Sequence, residues 1–380
     1  MYKRKLFCSI KCIKLKDFKI FKVLVTIFLS FCAIGHDLSV NGFGTLSYQQ
    51  SNTSVETVDG VNNKPNFTNN SFAGISLRKD VDERWDFILQ ILAEDNDGDM
   101  TAKVDLLQAT YRPNNEFNIK LGKIRLPIWM ISNYYNVGAL YPWIKPPQEV
   151  YQVQPGINLY GANASYRFIS DFFTTDVELY FGGTKFSTEG DIKFSGELSD
   201  IIGSNITIKH QQSTLRIAYG TARYSGDTSY ILTQATGTQG VSSKTNLSSP
   251  FNLGRAQFIS LGLKTEIKNF MLWTEYALEK TDSDNLRKLE AYYATIGYYF
   301  KNKKYLLHFT HADQMIRQST SVFFNGKQSA NTLGLNYAAS PSLIFKSEFS
   351  IINPEGNGLF SSEVSDDKVN LWGISMNFMF

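Results

Sequence analysis

From Leu38 onward, apolar and polar side chains trade places at a period of two, in short runs separated by turns. Leu38, Val40, Leu46 and Tyr48 alternate with Ser39, Asn41, Thr45 and Gln49. Trp85, Phe87, Leu89, Ile91 and Ala93 form one face of a second run, and Phe173, Val177, Leu179 and Phe181 one face of a third. Leu215, Ile217 and Tyr219 repeat the pattern, as do Tyr292, Ala294, Ile296, Tyr298 and Phe300. Period two with one apolar face predicts β-strands, and no amphipathic helix competes outside one long loop.

The connections alternate in length. Tight polar turns fall at 80–83, 113–116, 169–171, 211–212, 268–269, 301–304 and 340–342. Longer loops fall near 50–69, 95–100, 127–155, 184–202, 224–254, 281–288, 316–330 and 352–368. Together they divide the chain into about sixteen strands of roughly ten residues, the length a tilted strand needs to cross an outer membrane. Short turns on one side and long loops on the other predict an all-β fold, a transmembrane antiparallel β-barrel of about 16 strands. A soluble sandwich or propeller fits less well. The strands are many and long, no blade-like repeat is visible, and a barrel too wide to fill with side chains needs water inside and its apolar face outside. The 20 tyrosines and 28 phenylalanines, often near strand ends, supply the aromatic girdles such a barrel carries.

The third long loop, Leu126–Pro155, is the longest stretch without alternation in the first half of the barrel sequence. It holds Pro127, Pro142, Pro146, Pro147 and Pro155 together with Trp129 and Trp143. So many buriable side chains argue against disorder, and a loop of this length predicts function. It is expected to fold inward and narrow the barrel.

The first residues change the electrostatic picture. Eight basic residues and one acid (Asp17) precede or flank an apolar run, Val23–Ile34, too short to span a bilayer as a helix. Residues 1–35 read as a signal peptide cleaved after Gly35, leaving 36–380 as the barrel. A lipoprotein box at Leu29–Cys32 fails because Phe31 occupies the small-residue position. Without the leader, 30 basic and 34 acidic residues remain, so no basic nucleic-acid footprint is left. Cys8, Cys12 and Cys32 leave with the leader. The barrel then has no disulfide, thiolate metal site or cysteine nucleophile.

The chain ends in Leu371–Phe380, whose positions Trp372, Ile374, Met376, Phe378 and Phe380 share one apolar face. This terminal strand resembles the C-terminal signature of Gram-negative outer-membrane barrels, and Val40–Tyr48 is similar to the opening strand of the general porins. The resemblance implies a location in the outer membrane, lipid and lipopolysaccharide as surroundings, and recognition by the barrel-assembly machinery through the strand ending at Phe380. It also implies a possible homotrimer, no cofactor, and a third loop that sets the narrowest point of a channel. Two departures stand out. The loop lacks the acidic, glycine-rich signature of well-known porins, carrying only Glu149 and Lys145, and the second loop, around Asp95–Met100, is short for latching onto a neighbouring copy.

A channel needs rings of charge rather than a catalytic constellation. Opposite the apolar parity lie the basic residues Arg78, Lys120, Arg167, Lys209, Arg216, Lys264 and Lys346, and the acidic residues Asp86, Asp176, Glu178, Glu266, Glu275 and Glu348. Lipid exposure of any of these would cost a few kcal/mol, so an aqueous lumen is their expected place. Glu149, on the third loop, joins them as a pore-lining candidate. Lys123 and Arg125 lead directly into that loop and are expected either to line the constriction or to meet lipopolysaccharide phosphates. The parity of Thr101–Arg112 is ambiguous, which leaves Lys103 and Asp105 unassigned.

Asp95–Asp99 resembles the start of a calcium loop but lacks the required glycine and a placed glutamate, so it reads as a polar hairpin turn. His308 and His311 point to opposite faces of one strand and cannot share a metal. No nucleophile-elbow, zinc-protease, P-loop or dinucleotide motif is present in the sequence. The expected function is passive diffusion of small hydrophilic solutes and ions through a non-enzymatic outer-membrane channel. The alternatives are a structural or surface-binding barrel with a blocked lumen, and a barrel hydrolase built from His311, Asp313 and a serine.

Overall fold

Sixteen antiparallel strands hydrogen-bond in chain order, and the last pairs with the first to close the barrel. The computed structural model describes residues 38–380 except 97–98, 154–156, 189–191, 237–240, 283–285, 320–325 and 366–367, so the expected leader 1–35 lies outside the described residues. The strands are β1 (Leu38–Ser51), β2 (Phe72–Asp80), β3 (Trp85–Asn96), β4 (Asp99–Tyr111), β5 (Phe117–Arg125), β6 (Asn158–Ile169), β7 (Thr174–Thr188) and β8 (Ile192–His210). They continue with β9 (Ser213–Thr236), β10 (Val241–Ile267), β11 (Phe270–Thr281), β12 (Leu286–Phe300), β13 (Tyr305–Ser319), β14 (Gly326–Ser340), β15 (Leu343–Gly356) and β16 (Val369–Met379). Closure leaves no free edge around the ring, as a barrel facing lipid requires.

Alternation sorts the side chains as the sequence predicts. Val40, Leu46, Phe87, Leu179, Ile217, Tyr219, Tyr292, Ile296, Leu333 and Ile374 point outward and are exposed. Their neighbours at odd offset, such as Ser47, Asp86, Asn205, Arg216, Glu275 and Lys346, are buried on the inside. The outer face is therefore the apolar one. At the seam, the Phe380 and Gly42 backbones exchange two hydrogen bonds of 2.8 Å. A side chain at Gly42 would meet the Phe380 ring, so the glycine makes room for the terminal aromatic.

Two expected loops are largely strand. The ranges 184–202 and 224–254 pair backbone to backbone, extending β8, β9 and β10 to 19, 24 and 27 residues. These segments are rich in Ser, Thr, Gly and Asn. Beyond the bilayer no apolar face is demanded, so the alternation fades while the pairing continues. A second departure lies in β4, where the register against β3 shifts between Gln90 and Ile91. Asp105 is the extra residue, and this bulge reverses the strand's parity midway. The ambiguity of Thr101–Arg112 has this cause.

Gly122 in β5 sits at φ +119°, and a Cβ there would lie 2.2 Å from the Leu107 carbonyl oxygen. Gly122→Ala is expected to destabilise the barrel by about 1–3 kcal/mol, measured as a lower midpoint for loss of the heat-resistant folded band.

Candidate functional site: the inward loop and the wall around it

Between β5 and β6 the chain turns into the barrel instead of out of it. Pro142, Pro146 and Pro147 exclude strand pairing, and the loop is built of short turns: 3₁₀ turns at Ser132–Tyr134 and Gly138–Leu140, and one helical turn, α1 (Gln148–Tyr151). The Trp129 amide donates to Ser132 Oγ at 2.8 Å, closing the first bend. Trp129, Tyr141, Trp143, Val150 and Tyr151 are buried against Phe258, Met271, Trp273 and Tyr293 of the wall. Trp143 meets Trp273 and Tyr293 edge-on, with ring centroids 5.4 and 5.1 Å away. Each such ring withdrawn from lumen water contributes roughly 2 kcal/mol.

A loop of turns leaves its backbone polar groups unpaired, and buried ones need partners. The wall supplies them. Arg216 donates to the carbonyls of Trp129 (3.0 Å) and Pro127 (3.2 Å). Asn205 donates to Pro127 (3.1 Å), and Ser260 Oγ to Ile128 (2.6 Å). Glu275 accepts the Met130 amide at 2.8 Å and the Tyr151 hydroxyl at 2.7 Å. Lys346 Nζ donates to the carbonyls of Gly138 (2.7 Å), Tyr141 (2.9 Å) and Trp143. Glu348 accepts the Ile144 amide at 2.9 Å, and Asn336 donates to Pro142 at 2.8 Å. Trp143 Nε1 lies within hydrogen-bond distance of the Thr295 and Thr310 hydroxyls.

At the loop's root, Asp105 accepts from Arg125 (3.0 Å), Asn158 (3.1 Å) and Gln90 (2.6 Å), and from Asn136 of the loop (3.0 Å). Gly138 approaches β1 and β16 so closely that a Cβ would lie 2.2 Å from Asn377 Oδ1. Glu149 on α1 accepts from Gln328 at 2.7 Å. The loop is thus tied to β1, β4, β8 to β11 and β13 to β16, and through Thr295 to β12.

The hydrogen bonds named above do not involve β2, β3, β6 or β7, although Leu159 of β6 and Tyr180 of β7 belong to the same buried cluster as the loop. With the inward side of β5 these strands form a separate arc of wall. Its inward charges sit in ion pairs toward the short-turn end. Arg78 donates to Asp80 at 3.0 and 2.9 Å and lies 3.8 Å from Asp86, which also pairs with Arg112. Asp176 accepts from Arg167 (2.6 Å) and Lys209 (2.9 Å). Lys120 lies on the same inward face, paired across the sheet with buried Thr110. Glu178 accepts from Asn163 at 2.9 Å and lies 3.5 Å from Arg216. Across the barrel floor, Lys264 lies 4.1 Å from the Trp273 ring, and Glu266 accepts from Lys303 at 3.3 Å. On the loop, Asn133 and Leu140 are exposed and Tyr134 is partly buried against the cluster, with no charge among them.

The sequence-derived candidates therefore separate into two groups. Arg78, Asp86, Lys120, Arg167, Asp176, Lys209, Lys264 and Glu266 point inward away from the loop's anchors. Arg216, Glu275, Lys346 and Glu348 point inward too, but are buried beneath the loop and engaged by its backbone; Glu178 lies at the border. Arg125 is buried against Asp105 at the loop's root. Glu149 is turned to the wall rather than to open water. Lys123 is a correction: it shares the outward parity of exposed Leu121, donates to the Val104 carbonyl at 2.6 Å and lies 5.3 Å from the outward Tyr160 ring. Its aliphatic stem lies on the apolar outside, with the ammonium tucked to the backbone. Asn205, Ser260, Thr295, Thr310 and Asn336 were not foreseen, because a neutral inward residue carries no signal until the loop's path is known. His308 is buried inside, 3.8 Å from Glu348, while His311 faces outward beside Asn331 at 2.9 Å.

Lys346→Met is expected to leave three loop carbonyls buried without a donor and to cost on the order of 3 kcal/mol, read as earlier thermal unfolding and faster protease nicking between Asn133 and Tyr141. Burial pushes the Glu149 carboxyl above its ordinary range. The folded state therefore holds this proton more tightly than the unfolded chain. The associated stability is full below the ordinary carboxylate range and is lost as pH rises through the raised value. Glu149→Gln should keep the Gln328 bond and flatten the alkaline side of the midpoint–pH curve.

No protein-family profile matches the sequence, and no curated protein matches it either. Solved structures do share the fold. OmpF of Salmonella typhi is 13% identical with a TM-score of 0.59, over 91% of this chain and 98% of that one. The outer-membrane expressed OmpT of Vibrio cholerae is 13% identical with a TM-score of 0.58, over 91% and 99%. The anion-selective porin of Comamonas acidovorans is 10% identical with a TM-score of 0.54, over 90% and 99%. The chain thus has the closed sixteen-stranded barrel fold of these outer-membrane proteins, apolar outside and polar inside.

Proposed function

We propose that the protein is a non-enzymatic channel through which small hydrophilic solutes and ions cross the outer membrane by passive diffusion. The observation that carries this is the arc of β2, β3, β6 and β7 with the inward side of β5. Its inward charges hold no loop backbone, and the loop presents an uncharged face toward it. Water and ions would pass between the two. The loop sets the width, while Arg78, Asp86, Arg112, Lys120, Arg167, Asp176 and Lys209 set the local field. In the same reading, residues 1–35 are removed on export, the strand ending at Phe380 is recognised by the barrel-assembly machinery, and the outer ends meet lipopolysaccharide. A homotrimer is one assembly that this reading allows. With His311 outward, the hydrolase reading loses its central residue.

A second reading, a structural or surface-binding barrel with a blocked lumen, draws on the extent of the loop's anchoring, which reaches from β4 across to β8–β16 and β1. Planar-bilayer recording separates the two. Discrete conductance steps are expected for the purified barrel, and deletion of residues 134–140 should raise the step size. The absence of steps at every voltage, with or without the deletion, would establish the blocked barrel.

A further inference from the structure

Behind the loop, on the far side from the open arc, lies a cavity of about 100 Å³. Its floor is Trp143 with Thr310 and Glu348, and its walls include Gln49, Gln328, Glu149, Thr332 and Ser350. Its roof is a lid in which two chain segments are stitched together. The Val58 amide donates to the Leu359 carbonyl at 2.9 Å and the Ser361 amide to the Glu56 carbonyl at 2.8 Å. Phe360 beneath this lid packs with Ile352 and Val369. Half-exposed Gln148 and the Asp59–Lys145 ion pair form the rim.

We propose that this cavity binds a small neutral polyol, of the size of a four-carbon sugar alcohol. One water needs about 10–15 Å³ of such volume, so the cavity holds several waters and has room for such a molecule. The lining is mixed in the way polyol recognition requires. Side-chain amides, hydroxyls and carboxylates alternate with the apolar surfaces of Trp143, Phe360 and Ile352, against which carbon-bound hydrogens can lie.

The cavity is rich in acceptors. Glu149 is 4% exposed and accepts from Gln328 through Oε1, and Glu348 accepts from the Ile144 amide through Oε1. Both carboxylates line the cavity as acceptors, and the hydroxyls of a polyol supply several donors at once. The Thr332 and Ser350 hydroxyls, 2.7 Å apart, share one hydrogen bond and keep a second hydrogen for a ligand oxygen. A cation is the less suitable occupant. Lys145 already pairs with Asp59, and Lys346 lies on the same strand face as Glu348, two residues away.

The test is ligand-observed NMR on the folded full barrel in detergent, titrating erythritol and, separately, methylammonium chloride. Saturable erythritol binding is expected. The near-isosteric pair Thr332→Val with Ser350→Ala should weaken it roughly tenfold, the equivalent of one ordinary hydrogen bond. Ala330→Leu, which fills the cavity, should abolish it, and the double variant decides the matter if Ala330→Leu does not fold. No saturable erythritol binding, binding unchanged in the double variant, or preference for methylammonium would each overturn the proposal. The cavity lies off the proposed water path, so conductance measured on the same preparation reports on the channel separately: binding without conductance sinks only the channel, and conductance without binding sinks only the polyol site.

Discussion

A loop folded into a barrel must have its backbone polar groups satisfied, and here side chains of the wall do it. The segment from Pro127 to Ile144 has little regular pairing of its own. Left to lumen water it would stay mobile; pressed against aromatic rings it would leave carbonyls buried without donors, each costing about 1–3 kcal/mol. Arg216, Asn205 and Ser260 answer the carbonyls at the loop's entry, and Lys346 and Asn336 those at its far side. Glu275 and Glu348 answer the amides. Such side chains suit this work, because each offers several donor or acceptor sites to neighbouring backbone groups.

That division of labour decides what the inside of the barrel can do. Arg216, Glu275, Lys346 and Glu348 are engaged by the loop's backbone, so they contribute little to the field in open water. The inward charges that hold no loop backbone lie mostly on the opposite arc, in pairs such as Arg167 with Asp176 and Arg78 with Asp86, and also on β10 as Lys264 and Glu266. The loop's own contribution is shape, given by Asn133, Tyr134 and Leu140. A barrel with this weakly charged third loop thus carries its free inward charge on the wall, mostly on the arc.

Much of the barrel is legible in the sequence, because period-two alternation follows from lipid outside and water inside. Where that contrast stops, so does legibility: the ranges 184–202 and 224–254 look like loops because their strands have left the bilayer. Parity also places Arg216, Glu275, Lys346 and Glu348 inward. It does not reveal that the loop covers them, since that depends on contacts between residues as far apart as Gly138 and Lys346. Asp105 is hidden by a bulge that no residue type announces. Lys123 misleads because its charge suggests water, whereas its stem and the Val104 carbonyl let it stay on the apolar side.

The central claim is that one arc of the wall is open and the rest is covered by the loop. A chain beginning at His36 contains no cysteine, so single cysteines can be read without background. Lys120→Cys lies on the arc, and Ser260→Cys lies beneath Ile128 of the loop. Each barrel is exposed to a membrane-impermeant, negatively charged thiol reagent during planar-bilayer recording. The account predicts rapid modification and a drop in conductance for Lys120→Cys, with no reaction at Ser260→Cys. Rapid modification at Ser260→Cys with Lys120→Cys inert would contradict it.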